Sequence, residues 1–245
     1  MQIQLIRRRR GTSTPSPPAF SPDDLAGLVH WLDATAITGA SDGARFLSWP
    51  DLSPSGLDAT AAGNGPFYRA GKLNGLPGVH YDGSAKSVTT APPTTAVDGF
   101  TQIVLAELAS GILANAVPVY VGAHGADGWG AALVINDGTQ AGWLRGGIAW
   151  QGFTPAATGP QVLIGRRQAG TFTFRVNGGP SLGSTTDAPT APTVCLRVGS
   201  MGDAGMVPCY VYESLVYNAA VPNADLNQIG AYLAAKWAVP WSPVS

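Results

Sequence analysis

The chain has 245 residues, 32 of them glycine and 20 proline, with charged residues at only 12%; that mixture suits many short strands joined by Gly/Pro turns around one sizeable core. Formal net charge is −1, but Arg7, Arg8, Arg9 and Arg10 are four of the fourteen basic residues. The remaining ten stand against fifteen acidic ones, so the body is acidic, at −5, and only the N-terminal arm is basic. Two cysteines, Cys195 and Cys209, exclude a disulfide framework, and an acidic body argues against nucleic acid as the partner.

Residues 1–22 read as an extended anchoring arm. Ile3, Leu5 and Ile6 alternate with polar neighbours as a strand does, the four arginines follow, and prolines at 15, 17, 18 and 22 preclude a helix. At ~3.3 Å per residue such an arm reaches on the order of 70 Å. Gly11 to Pro18 occupies the place where an export signal would carry its apolar region, which argues for assembly in a cytoplasm. The domain, 23–245, opens with a capped turn at Ser21–Leu25 and a strand over 28–33. A further strand, 79–81, lies between Asn74-Gly75 and Asp82-Gly83 turns. No Asp, Glu, Lys or Arg occurs over 108–126, yet Gly111, Pro118 and Gly122 break the stretch, and its halves read as strands rather than as a membrane span.

Short β-rich segments bounded by Gly, Pro, Asn or Asp follow at 101–108, 117–122, 130–135, 142–150, 161–167, 171–176, 194–198 and 209–217. This punctuation predicts two antiparallel sheets packed face to face. Residues 196–208 read as a hairpin with Gly202-Asp203 near its tip, which would set Cys195 and Cys209 across from each other; the plainer expectation is two buried, reduced cysteines. Over 209–217 strict alternation predicts Tyr210, Tyr212, Ser214 and Val216 on one face and Val211, Glu213, Leu215 and Tyr217 on the other. The period then changes: Leu226, Ile229, Leu233 and Trp237 form one stripe of a short helix, with Asn223 as the expected N-cap and Pro240 beyond its end.

The series Trp31-Leu32-Asp33-Ala34, Trp49-Pro50-Asp51-Leu52-Ser53, Asn74-Gly75-Leu76-Pro77 and Tyr81-Asp82-Gly83 resembles the opening of concanavalin A-like, laminin-G-type jelly-roll domains. Thr171–Gly178 resembles that domain's middle strand and Asn-Gly turn. Glu213, Tyr217, Leu226, Tyr232-Leu233 and Lys236-Trp237 resemble its closing strand and helix. The resemblance spans residues 28 to about 238 and implies an all-β, two-sheet jelly-roll sandwich with a short C-terminal helix and the extended N-terminal arm. Such domains occur in bacterial surface proteins and bacteriophage virion proteins, and the motif tryptophans Trp31, Trp49 and Trp237 are expected to pack.

Laminarinase-type glucanases share that fold and set catalytic carboxylates on one strand as Glu-x-Asp-x-Glu, since retaining hydrolysis needs two carboxyls about 5 Å apart. The chain has two glutamates, Glu107 and Glu213, with no carboxylate two positions from either. The expectation is therefore no catalytic residue and no enzyme. His30 and His80, between apolar residues, read as satisfied sheet histidines. Sugar binding needs aromatic platforms beside polar groups; Trp129, Trp143 and Trp150, with Asp127 and Asn136, are the candidates, against the alternative that these rings fill the core. No cofactor is expected; calcium, which this fold often carries at a rim, would find its oxygen donors in Asp127, Asn136 and Asp137, with Asp127 and Asp137 as the candidate carboxylates.

Together these readings, with the resemblance, imply a non-enzymatic structural virion protein of a tailed bacteriophage. It would be assembled in the host cytoplasm and exposed on the virion surface in many copies. A capsid decoration protein held by its arm to capsid or tail proteins, and displaying a lectin-like domain toward surface glycans, is the leading expectation. A tail or fibre component, or a free-standing carbohydrate-binding lectin, is the alternative.

Overall fold

The structure is a computed structural model that describes residues 20–108, 115–122, 127–135, 139–145, 149–155, 159–186, 189–200 and 208–245. The arm residues Ile3, Leu5, Ile6 and Arg7 to Arg10 lie outside them, as do His124, Asn136 and Asp137. In chain order the strands are β1 (Leu28–Asp33), β2 (Ser48–Trp49), β3 (Ala59–Ala61), β4 (Phe67–Leu73), β5 (Leu76–Tyr81), β6 (Ser87–Val88), β7 (Phe100–Leu108) and β8 (Asn115–Val121). They continue with β9 (Trp129–Ile135), β10 (Thr139–Arg145), β11 (Ala149–Pro155), β12 (Gln161–Gln168), β13 (Thr171–Val176), β14 (Gly183–Thr185), β15 (Leu196–Val198) and β16 (Cys209–Tyr217); α1 (Asn223–Trp237) follows. The first sheet runs β14-β13-β12-β7-β16-β5-β4, with β1 also on β16; the second runs β11-β10-β9-β8-β15-β6-β3-β2. Together they make the antiparallel jelly-roll sandwich with its short terminal helix.

Between the sheets lies the core. On β7, Phe100 stacks on Trp129 of β9 with centroids 4.1 Å apart, and Gln102 Nε2 donates to Val119 O of β8 at 3.4 Å. Thr101, Ile103, Leu105 and Glu107 therefore share the outer face of the first sheet, because strand side chains alternate. The helix lies on that outer face and buries Leu226, Ile229, Leu233 and Trp237. It begins one residue earlier than expected: Pro222 is the N-cap, and Asn223 Oδ1 instead accepts from Arg166 Nη1 of β12 at 2.8 Å. Gly230 on the helix has a steric reason, since a Cβ there would sit 1.9 Å from the Trp241 ring that folds back across it.

Four expectations are corrected by the strands. Residues 142–150 are not one strand but parts of β10 and β11, whose ladder pairs Leu144 with Trp150 and Arg145 with Ala149. Residues 196–208 are not a hairpin. β15 belongs to the second sheet and β16 to the first, so the two strands do not pair. Cys195 and Cys209 are both buried and free. Strict alternation along 209–217 fails at a β-bulge: Val211 pairs with Ala106 and Glu213 with Leu105, leaving Tyr212 as an extra residue. Tyr210 and, beyond the bulge, Glu213, Leu215 and Tyr217 consequently all face outward. Finally, β4 was not foreseen; it pairs with β5 through the Asn74-Gly75 turn, whose φ values of 50° and 74° are those of a type I′ hairpin.

Among the described residues no helix is long and apolar enough to cross a membrane, and 115–121 of the charge-free stretch form β8.

Candidate functional site

Most of the motif residues meet under the helix in one hydrogen-bonded brace. Asp33 and Glu213 are directly opposed on β1 and β16, an arrangement that like charges disfavour. Lys236 Nζ resolves it by bridging Asp33 Oδ2 at 2.5 Å and Glu213 Oε2 at 2.9 Å, and its third proton goes to Tyr232 OH at 2.8 Å. Glu213, 1% exposed, also accepts from Trp31 Nε1, Tyr232 OH and Trp237 Nε1 at 2.8, 2.9 and 2.6 Å. Burial pushes its carboxyl above the ordinary glutamate range; Lys236 opposes that shift and Asp33 adds to it. Trp49 Nε1 donates to Asp33 O, and Asp51 accepts from Trp31, Ser53 and Leu57 backbone N–H groups, which ties the Trp-Pro-Asp-Leu-Ser loop to β1. Four acceptor positions on Glu213 and three donors on Lys236 are all used, so the brace offers no vacant group.

A second constellation stands on the same face where the helix does not cover it. The row Glu107 (β7), Tyr210 (β16), His80 (β5) and Phe67 (β4) runs across four paired strands. His80 stacks on Tyr210 at 4.6 Å and on Phe67 at 5.9 Å, with interplanar angles of 19° and 28°. Rings that stack along the row stand edge-on to the sheet, so their rims point outward. Cations close the row: Arg45 lies 4.0 Å from the Phe67 centroid, Lys72 Nζ 4.3 Å from that of Tyr210, and Arg69 5.3 Å from that of Phe67. Lys72 pairs with Glu107 at 2.5 Å and Arg45 with Asp82 at 2.9 Å. Phe67, His80 and Tyr210 are each half-buried.

The bulge residue Tyr212 joins row to brace. Its hydroxyl donates to Glu107 Oε1 at 2.7 Å, and its ring meets Trp237 at 5.5 Å. Gly78 leaves the space for that ring, since a Cβ there would approach it to 2.7 Å. Glu107 and Glu213, remote in sequence, are thereby near neighbours on adjoining central strands, not edge residues.

Of the residues expected to bind sugar, Asn136 lies outside the described residues. Trp129 is fully buried, stacked on Phe100, and donates to Ala96 O at 3.2 Å, which leaves no ring face for a ligand. Asp127 is also buried; its carboxylate accepts from Thr193 Oγ1 and its carbonyl from Tyr120 OH at 2.7 Å, so it pins the start of β9. Trp143 and Trp150 belong to the paired strands β10 and β11. Among the described residues no three His, Cys, Asp or Glu side chains gather as a metal site. Neither His30 nor His80 is a fully satisfied sheet histidine: each has its Nδ1 buried without a partner, as Arg69 has its Nε. Burial, then the Arg69 charge, pushes the His80 imidazole below its ordinary value. The row escaped the sequence reading because it is built across strands, one residue from each, with β4 unrecognised.

No family model and no curated protein matches this chain. Solved structures do. Trypanosoma rangeli sialidase matches with a TM-score of 0.59 and 16% identity over 84% of this chain and 33% of that one. Domain 4 of AbnA, a GH43 extracellular arabinanase from Geobacillus stearothermophilus solved with arabinotriose, matches at 0.61 and 12% over 83% of this chain and 98% of that one. The receptor binding domain of botulinum neurotoxin C/D mosaic serotype matches at 0.60 and 9%, over 87% and 55%. At these identities the likeness is one of fold, and the chain spans about a third of the sialidase's length. It nevertheless overturns the expectation that the chain is not an enzyme. That expectation rested on the fold's glucanase spacing along one strand, whereas this fold is shared with a chain named for an enzyme.

Proposed function

We propose that this chain is a lectin-like, glycan-binding β-sandwich module whose sugar-contacting surface is the open row Phe67–His80–Tyr210 on the outer face of the first sheet. The observation that carries the reading is that row: half-buried aromatic side chains beside cationic and hydrogen-bonding groups on a face that the helix leaves uncovered. The arabinotriose held by a domain of similar fold supports the class of ligand, and the concanavalin A-like, laminin-G-type resemblance agrees with it. Because the rings stand on edge, a sugar meets their C–H rims and the Tyr210 hydroxyl rather than a flat platform, and single-site affinity is weak. The test is a glycan array on the purified chain followed by calorimetry on the hits. Tyr210→Ala, with its fold checked by thermal unfolding, is expected to weaken binding at least about tenfold. Binding that survives the substitution unchanged removes the row from the site.

A second reading, on the composition of residues 1–22, concerns how such a weak site is used. The apolar alternation at Ile3, Leu5 and Ile6, the four arginines and the prolines support an arm that fixes many copies to an acidic repeated surface, where avidity multiplies weak contacts. The family resemblance makes that surface a tailed-phage virion, capsid first and tail second. Co-sedimentation with such particles, comparing the full chain with one lacking residues 1–22, decides it: if neither pellets, the reading fails.

A further inference from the structure

The charges around the row are not balanced alike. Six ionisable groups surround it from β4, β7 and the adjoining 42–46 and 82–84 segments: Asp42, Arg45, Arg69, Lys72, Asp82 and Glu107. Arg45 is matched by Asp82 and Lys72 by Glu107. Asp42, at the end of β4, accepts from Ala70 N–H at 3.0 Å. Arg69 is different. It pairs across the β4–β5 ladder with Gly78, which has no side chain to offer it, and among the described residues it has no carboxylate partner. Its Nε is buried with no hydrogen bond, and two strand positions away His80 Nδ1 is in the same condition. A half-buried guanidinium presents a planar fork of donors that matches a carboxylate in two parallel bonds, and leaving such donors unmade is costly. An incoming oxyanion would be held by the terminal Nη donors of Arg69, which unlike its Nε are not enclosed, while the rest of the ligand rests on the aromatic rims.

We propose that the outer-face row takes a carboxylate-bearing saccharide, with Arg69 holding the carboxylate and the Phe67, His80 and Tyr210 rims holding the sugar ring. This rests on the glycan-binding reading above and narrows it to acidic sugars. Arg45 and Lys72 are spoken for by their own carboxylates, so the selectivity for acid resides in one residue. That makes it separable by a single substitution.

The experiment is calorimetry on the full chain with two matched pairs of ligands that differ in charge. One pair is tri-galacturonic acid and its methyl ester; the other is sialyllactose and lactose. The acidic member of each pair is expected to bind at least about tenfold more tightly, and Arg69→Gln to abolish that difference between the members. Arg69→Lys, which keeps the charge but loses the fork, should restore only part of the difference. Acid and neutral members that bind alike to the native chain overturn the inference and leave the glycan-binding reading standing; this comparison needs no variant to fold. If neither member of either pair binds and the array is blank, the glycan-binding reading itself has failed. Inorganic phosphate that competes as strongly as the acidic sugars reduces the site to a general anion site, and the saccharide assignment is lost.

Discussion

The brace and the row occupy one face of one sheet, use the same kinds of residue, and are joined through Tyr212, yet they are built to opposite ends. In the brace, a carboxylate pair and Trp31 on the strands meet Tyr232, Lys236 and Trp237 of α1, and every donor and acceptor on Glu213 and Lys236 is used. In the row, rings and cations lie open, and Arg69 Nε and His80 Nδ1 have no partner. Buried polar groups in a finished network hold a fold together, whereas an open row beside a guanidinium with no carboxylate leaves room for something else to complete it. The difference separates the motif residues that close the structure from those that can meet a ligand.

The sharpest way to break the comparison is to truncate one residue in each region. Glu213→Ala removes the acceptor of four donors and leaves Lys236 with Asp33 as its one carboxylate; it should cost about 3–5 kcal/mol in urea unfolding, as for one partner of a buried ion pair. Tyr210→Ala, in the open row, should cost about 1 kcal/mol or less. Equal costs would show that the row is as structural as the brace. An intermediate effect belongs to the junction: Gly78→Ala drives a methyl to within 2.7 Å of the Tyr212 ring, and overpacking of this kind should destabilise by about 1–3 kcal/mol. A neutral outcome would mean that Tyr212 is free to swing, and that row and brace are not coupled through it.

The sequence made the brace's membership legible, though not its geometry. Trp31, Asp33, Trp49, Asp51, Glu213, Tyr232, Lys236 and Trp237 were all visible as motif residues, and the strand-to-helix change of period at 217–226 located the outer layer. What could not be read was the bulge at Tyr212, because one inserted residue reverses the facing of everything after it and leaves no trace in composition. The row was invisible for a related reason. Phe67, His80 and Tyr210 lie on three strands and become neighbours only through register, so no local spacing announces them. Tryptophan clustering in sequence pointed instead to Trp129, whose ring fills the core.

The smallest expected effect compares the two described histidines. His30 is fully buried with Nε2 against Leu57 O at 3.1 Å, and burial pushes its imidazole below the ordinary value even though Asp51 and Asp58 pull it up. His80 is shifted the same way, by burial and then by Arg69. For both, the unfolded chain binds the proton more readily than the folded one. Each therefore contributes stability that is present above about pH 6.5 and is lost as pH falls through its folded-state value. Glu213, raised by burial, runs with the opposite sign, so the net slope of the native protein is not diagnostic and only differences between variants are. His30→Gln keeps a donor toward Leu57 O and should flatten the fall in unfolding free energy between pH 7 and pH 5 by up to about 1.4 kcal/mol per pH unit. His80→Gln, in the open row, should flatten it less. If the His80 variant changes the slope more than the His30 variant does, the row is closed in solution and the distinction between the two regions does not hold.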